Sequence, residues 1–225
     1  MTTEKRVIAG SGAVLSALDV AGDTIALWQV ADLERHVDRD ALLAGDDPVE
    51  PPYWAHCWSG ATVLAAAVPR GVRSVVEIGC GLGLPGLVAA RRGAHVTFVD
   101  RVAPPLAFVR ASAAANGLRD VDAVVADFTT PAVAGRFDLV LGAEVLYDRA
   151  ALAPTARAIA RLLAPGGRAL GAEARRIDTG AFYAALEGVD LRWSSVEHRC
   201  REEGLPLTVH VAEIVWRLAP GPSAA

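Results

Sequence analysis

A glycine-rich turn between a buried strand and a helix constrains the fold of this chain more than any other feature. Ser74–Ile78 is short and mostly apolar, which is typical of a strand buried inside a sheet. Residues 79–83 carry glycine at every second position, and residues 84–92 have helical composition with Pro85 in the first turn, where its missing N–H costs little. Such a turn lets backbone N–H groups approach a ligand closely at the start of a helix. The sequence therefore predicts a strand–turn–helix unit with a ligand site at the turn.

Strands and helices alternate along the chain from this region onward. The predicted strands are residues 74–78, 94–99, 121–126, 137–142 and 168–172, and the predicted helices are residues 60–68, 84–92, 104–116, 150–164 and 179–186. This alternation is typical of an α/β fold, with a mostly parallel sheet and helices on both faces. Residues 190–198 and 207–218 break the alternation, because both are strand-like and their connection is too short for a helical crossover. We therefore expect them to form an antiparallel C-terminal hairpin.

The 225 residues are enough for one domain, and the pattern of strands and helices is weak over residues 1–50 and becomes clear from Tyr53 onward. We predict an N-terminal extension or lid over residues 1–52, a main domain over residues 53–218 and a frayed Pro/Gly-rich tail over residues 219–225. Within the extension, residues 24–30 have the pattern of a strand, residues 32–37 that of a short helix, and residues 44–52 that of a loop.

The composition excludes several classes of protein and site. Hydrophobic residues make up 52%, which excludes a mainly disordered chain, and the net charge of −4 argues against nucleic-acid binding through bulk charge. The three cysteines, Cys57, Cys80 and Cys200, form no CxxC pair, and the five histidines have no HxH or HxxxH spacing. We therefore expect neither a disulfide scaffold nor a metal site.

Apolar runs are too short for a membrane protein. No stretch approaches the roughly 18 consecutive apolar residues that a membrane span requires, and the first residues have no apolar core of signal-peptide length. The unpaired thiols also fit a reducing compartment. Together with the net charge, these observations predict a cytoplasmic protein that has neither a membrane nor a nucleic-acid partner.

The residues around the glycine turn favour a nucleoside ligand. Gly79, Gly81 and Gly83 form the turn, and Asp100 ends the next predicted strand 21 positions after Gly79. A carboxylate at that place can accept hydrogen bonds from both hydroxyls of a ribose. Residues 81–86 also fit the GxGxxG pattern of dinucleotide-binding proteins, so two ligands are open at this point: a nicotinamide dinucleotide or S-adenosylmethionine.

Three features favour S-adenosylmethionine. Glu77 precedes the first glycine, where its carboxylate can order the turn and hold the ammonium group of the ligand. Asp127 ends the third predicted strand, where it can accept a hydrogen bond from the adenine amino group. The C-terminal hairpin is not part of the nicotinamide fold. Arg101 and Phe128 directly follow the two aspartates and complete this part of the predicted cofactor-binding set.

The combined pattern resembles the seven-strand, Rossmann-like methyltransferases over roughly residues 53–218. The residues that carry the resemblance are Glu77, Gly79, Gly81, Gly83, Asp100, Asp127 and the sequence Pro165-Gly166-Gly167. The resemblance implies a Rossmann-like, seven-stranded, mostly parallel sheet, S-adenosylmethionine as the cofactor without a metal, and methyltransferase activity. A protein that binds the cofactor without transferring a methyl group is the alternative from another functional class.

Two further segments suggest a substrate. Trp54 and Trp58 lie ahead of the glycine turn, and Glu144 and Tyr147 follow the fourth predicted strand. Together they resemble the seven-strand enzymes that methylate protein lysines, the group that includes the electron transfer flavoprotein β-subunit lysine methyltransferase. The resemblance implies a protein substrate, and the alternative is a small-molecule N- or O-methyltransferase.

The resemblance also assigns roles to these four residues. Glu144 and Tyr147 would be the catalytic pair, with Glu144 orienting the amine beside the cofactor and Tyr147 providing an aromatic wall. Trp54, Trp58 and Glu144 would line the cofactor pocket. Packing roles remain open for all four: a helical tryptophan pair, an acid at a helix N-terminus and a half-buried tyrosine.

Arg175 and Arg176 follow the fifth predicted strand at the same edge of the sheet. They are expected to be either solvated charges or contacts to an acidic substrate.

Overall fold

A seven-stranded mixed sheet organises the chain in the computed structural model, which describes residues 4–31, 33 and 52–217. The strands are β1 (Lys5–Ile8), β2 (Ser11–Val20), β3 (Asp23–Val30), β4 (Ser74–Ile78), β5 (His95–Asp100), β6 (Val121–Val125), β7 (Phe137–Ala143), β8 (Leu163–Glu173), β9 (Leu191–Glu202) and β10 (Leu205–Trp216). The helices within the described ranges are α1 (Ser59–Ala67), α2 (Leu84–Arg91), α3 (Ala103–Ala115), α4 (Leu152–Leu162) and α5 (Gly180–Glu187).

The large sheet has the order β6-β5-β4-β7-β8-β10-β9. The first five strands are parallel to one another, and β10 pairs antiparallel with both β8 and β9. The predicted fold class is therefore confirmed. Since β5 and β7 lie on opposite sides of β4, the chain reverses its direction of winding there. A crevice for a ligand is expected at the carboxyl end of β4.

The C-terminal hairpin is longer than its composition predicts. Glu203 and Gly204 alone connect β9 to β10, and both have positive φ, 49° and 82°. This is the backbone of a tight two-residue hairpin turn. The predicted connection over residues 199–206 is therefore mostly strand, because pairing between the two strands extends into a polar segment that has turn-like composition.

The N-terminal residues form a second, three-stranded antiparallel sheet, β1-β2-β3. Only β3 was predicted, as residues 24–30; the predicted helix over residues 32–37 lies outside the described residues, apart from residue 33. The sheet is anchored to α3, where the Trp28 N–H donates to Ser112 Oγ over 2.9 Å and Asn116 bonds the backbone of Ala26 through both its oxygen and its nitrogen. These contacts lie on the C-terminal half of α3, remote from the carboxyl edge of the large sheet.

Apolar layers cover both faces of the large sheet. On one face, Leu64 of α1, Leu87 of α2 and Phe108 of α3 are fully buried. On the other face, Leu152 of α4 and Leu186 of α5 are buried. These layers fix the helices in place, so the loops at the carboxyl edge stand on a rigid base. No helix among the described residues is long and apolar enough to cross a membrane.

Candidate functional site

The glycine turn lies at the carboxyl end of β4, where the fold places the crevice. Gly79, Gly81 and Gly83 have φ of 55°, 50° and 74°, a region that side chains rarely adopt. A Cβ at Gly79 would lie 2.8 Å from Val145 Cγ1, and one at Gly83 would lie 2.7 Å from Val109 Cγ2. Both the backbone conformation and the available space therefore require glycine in this turn.

Glu77 is buried directly beneath the turn. Only 1% of its surface is exposed, and its Oε2 accepts a hydrogen bond of 2.7 Å from the backbone N–H of Gly86, in the first turn of α2. A Cβ at Gly86 would lie 2.4 Å from that oxygen. Burial raises the pKa of Glu77 to about 8, and the nearby charge of Asp100 adds to the rise. Glu77 thus ties the strand to the start of α2 and prefers its neutral form until a cation comes close.

Asp100 ends β5 beside the turn. Its Oδ2 accepts from the Gly81 N–H over 3.0 Å, and its Oδ1 accepts from the Val102 N–H over 3.3 Å. Burial raises the pKa of this carboxyl, which is 7% exposed, while its backbone hydrogen bonds and the charge of Arg101 oppose the rise. Asp100 therefore lies against the glycine turn, and the exposed Arg101 follows it on the outer side.

The loop after β6 contributes Asp127 and Phe128. Asp127 is exposed, and its Oδ1 accepts from the Thr129 N–H over 2.8 Å and from Thr129 Oγ1 over 2.7 Å. The ring of Phe128 comes within 3.6 Å of the place that a Gly79 Cβ would occupy. The structure thus brings Phe128 to the glycine turn and shows Asp127 stabilising its own loop.

Residues 53–59, here called the aromatic segment, cross the glycine turn. Trp54 lies in a short 3-10 turn; its backbone oxygen is 3.2 Å from a Cβ placed at Gly81, and its ring packs on Phe108 with centroids 5.6 Å apart. Trp58 has extended backbone just before α1, and its Nε1–H donates to the Tyr53 backbone oxygen over 2.9 Å. The two tryptophans therefore do not form the helical pair considered from their spacing.

Glu144 occupies a strained position after β7. Its φ is 53°, which is uncommon for a residue with a side chain, and its N–H donates to the Ala172 oxygen over 2.8 Å. The side chain is only 11% exposed. Its Oε2 accepts from the Ala174 N–H over 3.3 Å, whereas its buried Oε1 has no hydrogen-bond partner among the described residues.

Charges around Glu144 act in opposite directions on its pKa. Burial raises the pKa and is the largest influence, Arg176 lowers it, and Glu202 and Glu173 raise it further. A Cβ at Gly60 would lie 2.5 Å from Glu144 Oε1, so α1 approaches the carboxylate closely at a glycine. A buried, strained carboxylate with an unpaired oxygen is the kind of group found at functional sites.

Tyr147 lies in the loop that follows Glu144. It is 48% exposed, and its ring centroid is 5.8 Å from that of Tyr53, which is 46% exposed. Residues 144–148 form an irregular loop, so Glu144 and Tyr147 do not share a helical turn, and Glu144 is not an acid at a helix N-terminus. The loop nevertheless places a carboxylate and an aromatic ring at the same edge of the sheet.

The sequence reasoning named Arg176 but missed the group of residues around Glu144 to which it belongs. Arg176 Nη2 lies 2.6 Å from Glu202 Oε2, and Arg176 Nε lies 3.9 Å from Glu144 Oε2. Glu202 Oε1 accepts from the Ser59 N–H over 3.2 Å. The position of Arg176 after the fifth strand was the only available signal. Glu202 could not be identified, because its position depends on the length of the hairpin. Among the described residues, no group of three or more His, Cys, Asp and Glu side chains could hold a metal ion.

Comparison with known proteins shows the family. A family described as a methyltransferase domain matches residues 75–167. A protein N-lysine methyltransferase from Mus musculus is 38% identical over 105 residues, covering 40% of this chain and 46% of that protein. A ubiquinone biosynthesis O-methyltransferase from Pseudomonas aeruginosa is 31% identical over 115 residues, covering 51% and 50%. The chain thus spans about half the length of these two relatives.

A longer match and a solved structure agree with this result. Ribosomal RNA small subunit methyltransferase G from Anaeromyxobacter dehalogenans is 35% identical over 186 residues, covering 75% of this chain and 84% of that protein. The structure of a TehB-like SAM-dependent methyltransferase from Corynebacterium glutamicum superposes on this chain with a TM-score of 0.57 at 22% identity. The match covers 80% of this chain and 94% of that one, and it shows the fold. The chain therefore belongs to the family of S-adenosylmethionine-dependent methyltransferases, not to the dinucleotide-binding proteins.

Proposed function

We propose that this chain transfers a methyl group from S-adenosylmethionine to the ε-amine of a lysine in a protein. The observation that carries the proposal is Glu144: a carboxylate at the carboxyl edge of the sheet, buried, held in a strained backbone conformation and left with one unpaired oxygen. Tyr147, in the loop that follows Glu144, pairs its half-exposed ring with that of Tyr53, with the ring centroids 5.8 Å apart. Together they present the charge and the apolar surface that an alkyl ammonium group requires.

The residues at the glycine turn fit the cofactor. A Cβ at Gly79 would lie 2.8 Å from Val145 Cγ1, and one at Gly81 would lie 3.2 Å from the Trp54 backbone oxygen, so only a turn without side chains fits between these groups. Glu77 can hold the ammonium group, Asp100 the ribose hydroxyls and Asp127 the adenine amino group. Arg101 and Trp54 would flank the same turn. When bound, S-adenosylmethionine supplies a methyl group on a sulfonium, and the leaving product is S-adenosylhomocysteine.

Glu144 would position the acceptor amine. A free lysine has a pKa near 10.4, so only about one in 2,500 is neutral at pH 7. An ionised Glu144 attracts the ammonium form, and the unpaired Oε1 can accept a hydrogen bond from it. Burial raises the pKa of Glu144, which makes it a better proton acceptor than an exposed carboxylate once the amine is in place. Tyr147 would hold the aliphatic stem and attract the cation, and Trp58 would close the inner side of the pocket.

The relatives support more than one acceptor. Similarity to the murine protein N-lysine methyltransferase supports a protein lysine. Similarity to the ubiquinone biosynthesis O-methyltransferase favours a second candidate function, methylation of a small molecule at nitrogen or oxygen. The ribosomal RNA methyltransferase makes RNA the third class that an experiment has to separate.

The test is transfer of tritium from labelled S-adenosylmethionine to a size-fractionated extract of the host, divided into protein, RNA and small-molecule fractions. We expect a discrete labelled protein band that disappears with Glu144→Gln. Glu197→Gln serves as the matched control, because Glu197 is an exposed carboxylate on β9. Label confined to the RNA or small-molecule fraction would contradict the lysine proposal. Self-labelling is checked with Lys5→Arg, since Lys5 is the only lysine in the chain.

A further inference from the structure

One arginine connects three separate parts of the candidate site. Arg176 follows β8, and its guanidinium reaches Glu202 at the end of β9 over 2.6 Å. The same group lies 4.8 Å above the ring of Trp58, and its Nε is 3.9 Å from Glu144 Oε2. Glu202 uses its other oxygen to accept from the Ser59 N–H at the start of α1. We call Arg176, Glu202, Trp58 and Ser59 the arginine clasp.

The clasp holds the end of the aromatic segment. The other end of that segment lies on the glycine turn, where the Trp54 backbone oxygen faces Gly81. The aromatic segment is short, held at one end by Arg176 and packed at the other end against the glycine turn. A displacement of Trp58 would therefore also displace Trp54 over the turn. The Glu202 side chain is 17% exposed and the Arg176 side chain 42%, so the charge-assisted bond between them lies at a partly exposed site.

We propose that Arg176 is a positioning residue that sets both the aromatic segment over the cofactor turn and the Glu144 carboxylate toward the acceptor. The proposal rests on the proposed function for its second half and on the geometry of the clasp alone for its first half. Arg176 does not touch the reacting atoms. It acts through Trp58 and Ser59 on one side and through Glu144 on the other.

The charges around Glu144 predict how substitutions of Arg176 and Glu202 change the pH dependence of the rate. The groups facing Glu144 are Arg176 from the loop after β8, Glu202 from the end of β9 and Glu173 from the end of β8, together with Gly60 of α1. Arg176 lowers the pKa of Glu144 and Glu202 raises it. Since activity requires ionised Glu144, Arg176→Ala should move the acidic limb of the pH–rate profile to higher pH, and Glu202→Gln should move it to lower pH.

Arg176→Lys separates the two roles. Lysine keeps the positive charge near Glu144 but lacks the planar fork that reaches Glu202 while stacking on Trp58. We expect it to restore the acidic limb of the profile toward that of the wild type, while cofactor binding remains weakened as in Arg176→Ala.

The experiment combines calorimetric binding of S-adenosylhomocysteine with the pH dependence of kcat and KM. Arg176→Ala should raise the Kd for S-adenosylhomocysteine about threefold to tenfold, the size expected for the loss of one or two charge-assisted contacts at a partly exposed site. It should lower kcat about tenfold or more, because the acceptor is then poorly oriented. Arg168→Ala is the matched control: Arg168, in β8, makes a 3.0 Å ion pair with Glu213 of β10 and should change neither quantity.

The outcomes distinguish this proposal from the proposed function. An Arg176→Ala protein that binds S-adenosylhomocysteine with wild-type affinity and keeps the wild-type pH profile would overturn the positioning role. Weaker binding in Arg176→Ala and Arg176→Lys, but not in Arg168→Ala, would support the clasp even if the wild type labels no protein. In that case it is the lysine assignment that fails.

Discussion

Replacing Glu77 with glutamine tests whether the acid beneath the glycine turn holds the ammonium group of the cofactor. Glu77 is buried, and its pKa is raised to about 8 chiefly by loss of solvation. At pH 7 about nine in ten of these carboxyls are therefore protonated in the free protein. An ammonium group placed beside the carboxylate favours its ionised form, so binding should release the proton.

The expected proton count follows from these pKa values. Binding should release about 0.9 proton from Glu77, because the α-amine of the ligand, a free amino acid, is already almost fully protonated at pH 7. Glu77→Gln cannot titrate at this position, so its binding should exchange almost no protons. Glutamine can still accept a hydrogen bond from the Gly86 N–H, which keeps the start of α2 in place.

Calorimetry of S-adenosylhomocysteine binding at pH 7 in several buffers measures this quantity, because the apparent enthalpy varies with the ionisation enthalpy of the buffer in proportion to the protons exchanged. Tight wild-type binding with an enthalpy that does not depend on the buffer would refute the role assigned to Glu77.

The raised pKa of Glu77 also predicts that the stability of the folded protein depends on pH. The folded state binds the extra proton between about pH 4.5 and 8, so the free energy of unfolding should fall as pH rises through that window, and Glu77→Gln should reduce this slope.

Two further substitutions test the cofactor site and its support. Asp100→Ala removes the acceptor for the Gly81 N–H and for the ribose hydroxyls. The Kd for S-adenosylhomocysteine, measured by calorimetry, should therefore rise about tenfold to a hundredfold. Unchanged affinity would refute the ribose assignment. Tyr183→Phe removes the hydroxyl that donates to the buried Glu173 Oε1 over 2.6 Å. It should lower the free energy of unfolding in urea by about 1–3 kcal/mol, and an unchanged midpoint would show that the bond contributes nothing.

Elements with strong local patterns could be predicted from the sequence. Ser74–Ile78 was predicted with its exact ends because it is an apolar run between polar residues and glycine. The alternation of strands and helices and the short final connection were enough to predict five parallel strands and an antiparallel C-terminal hairpin. β1 and β2 were missed, because their sequences mix polar, small and apolar residues without a clear pattern, and their hydrogen-bond partners are one another and β3.

The candidate site could be predicted only in part. Residues that lie in or beside the glycine turn, such as Glu77 and Asp100, are recognisable because the turn fixes their place relative to the ends of the strands. Arg176 and Glu202 are 26 positions apart and meet only when the full length of the hairpin is known. The positive φ of Glu144 and its unpaired oxygen have no signature in the sequence, because the residue meets parts of the chain that are distant in sequence: its N–H bonds the Ala172 oxygen, and α1 approaches its Oε1 at Gly60.

The most direct test of the central proposal is the chemical identity of the methylated group. The protein band labelled by the wild type should be isolated and digested, and the added methyl groups located by mass spectrometry, with the Glu144→Gln protein as the control. We expect the methyl groups on a lysine ε-amine and none in the control digest. Methyl groups on another side chain, or equal labelling by Glu144→Gln, would contradict the role of the buried carboxylate in presenting a lysine.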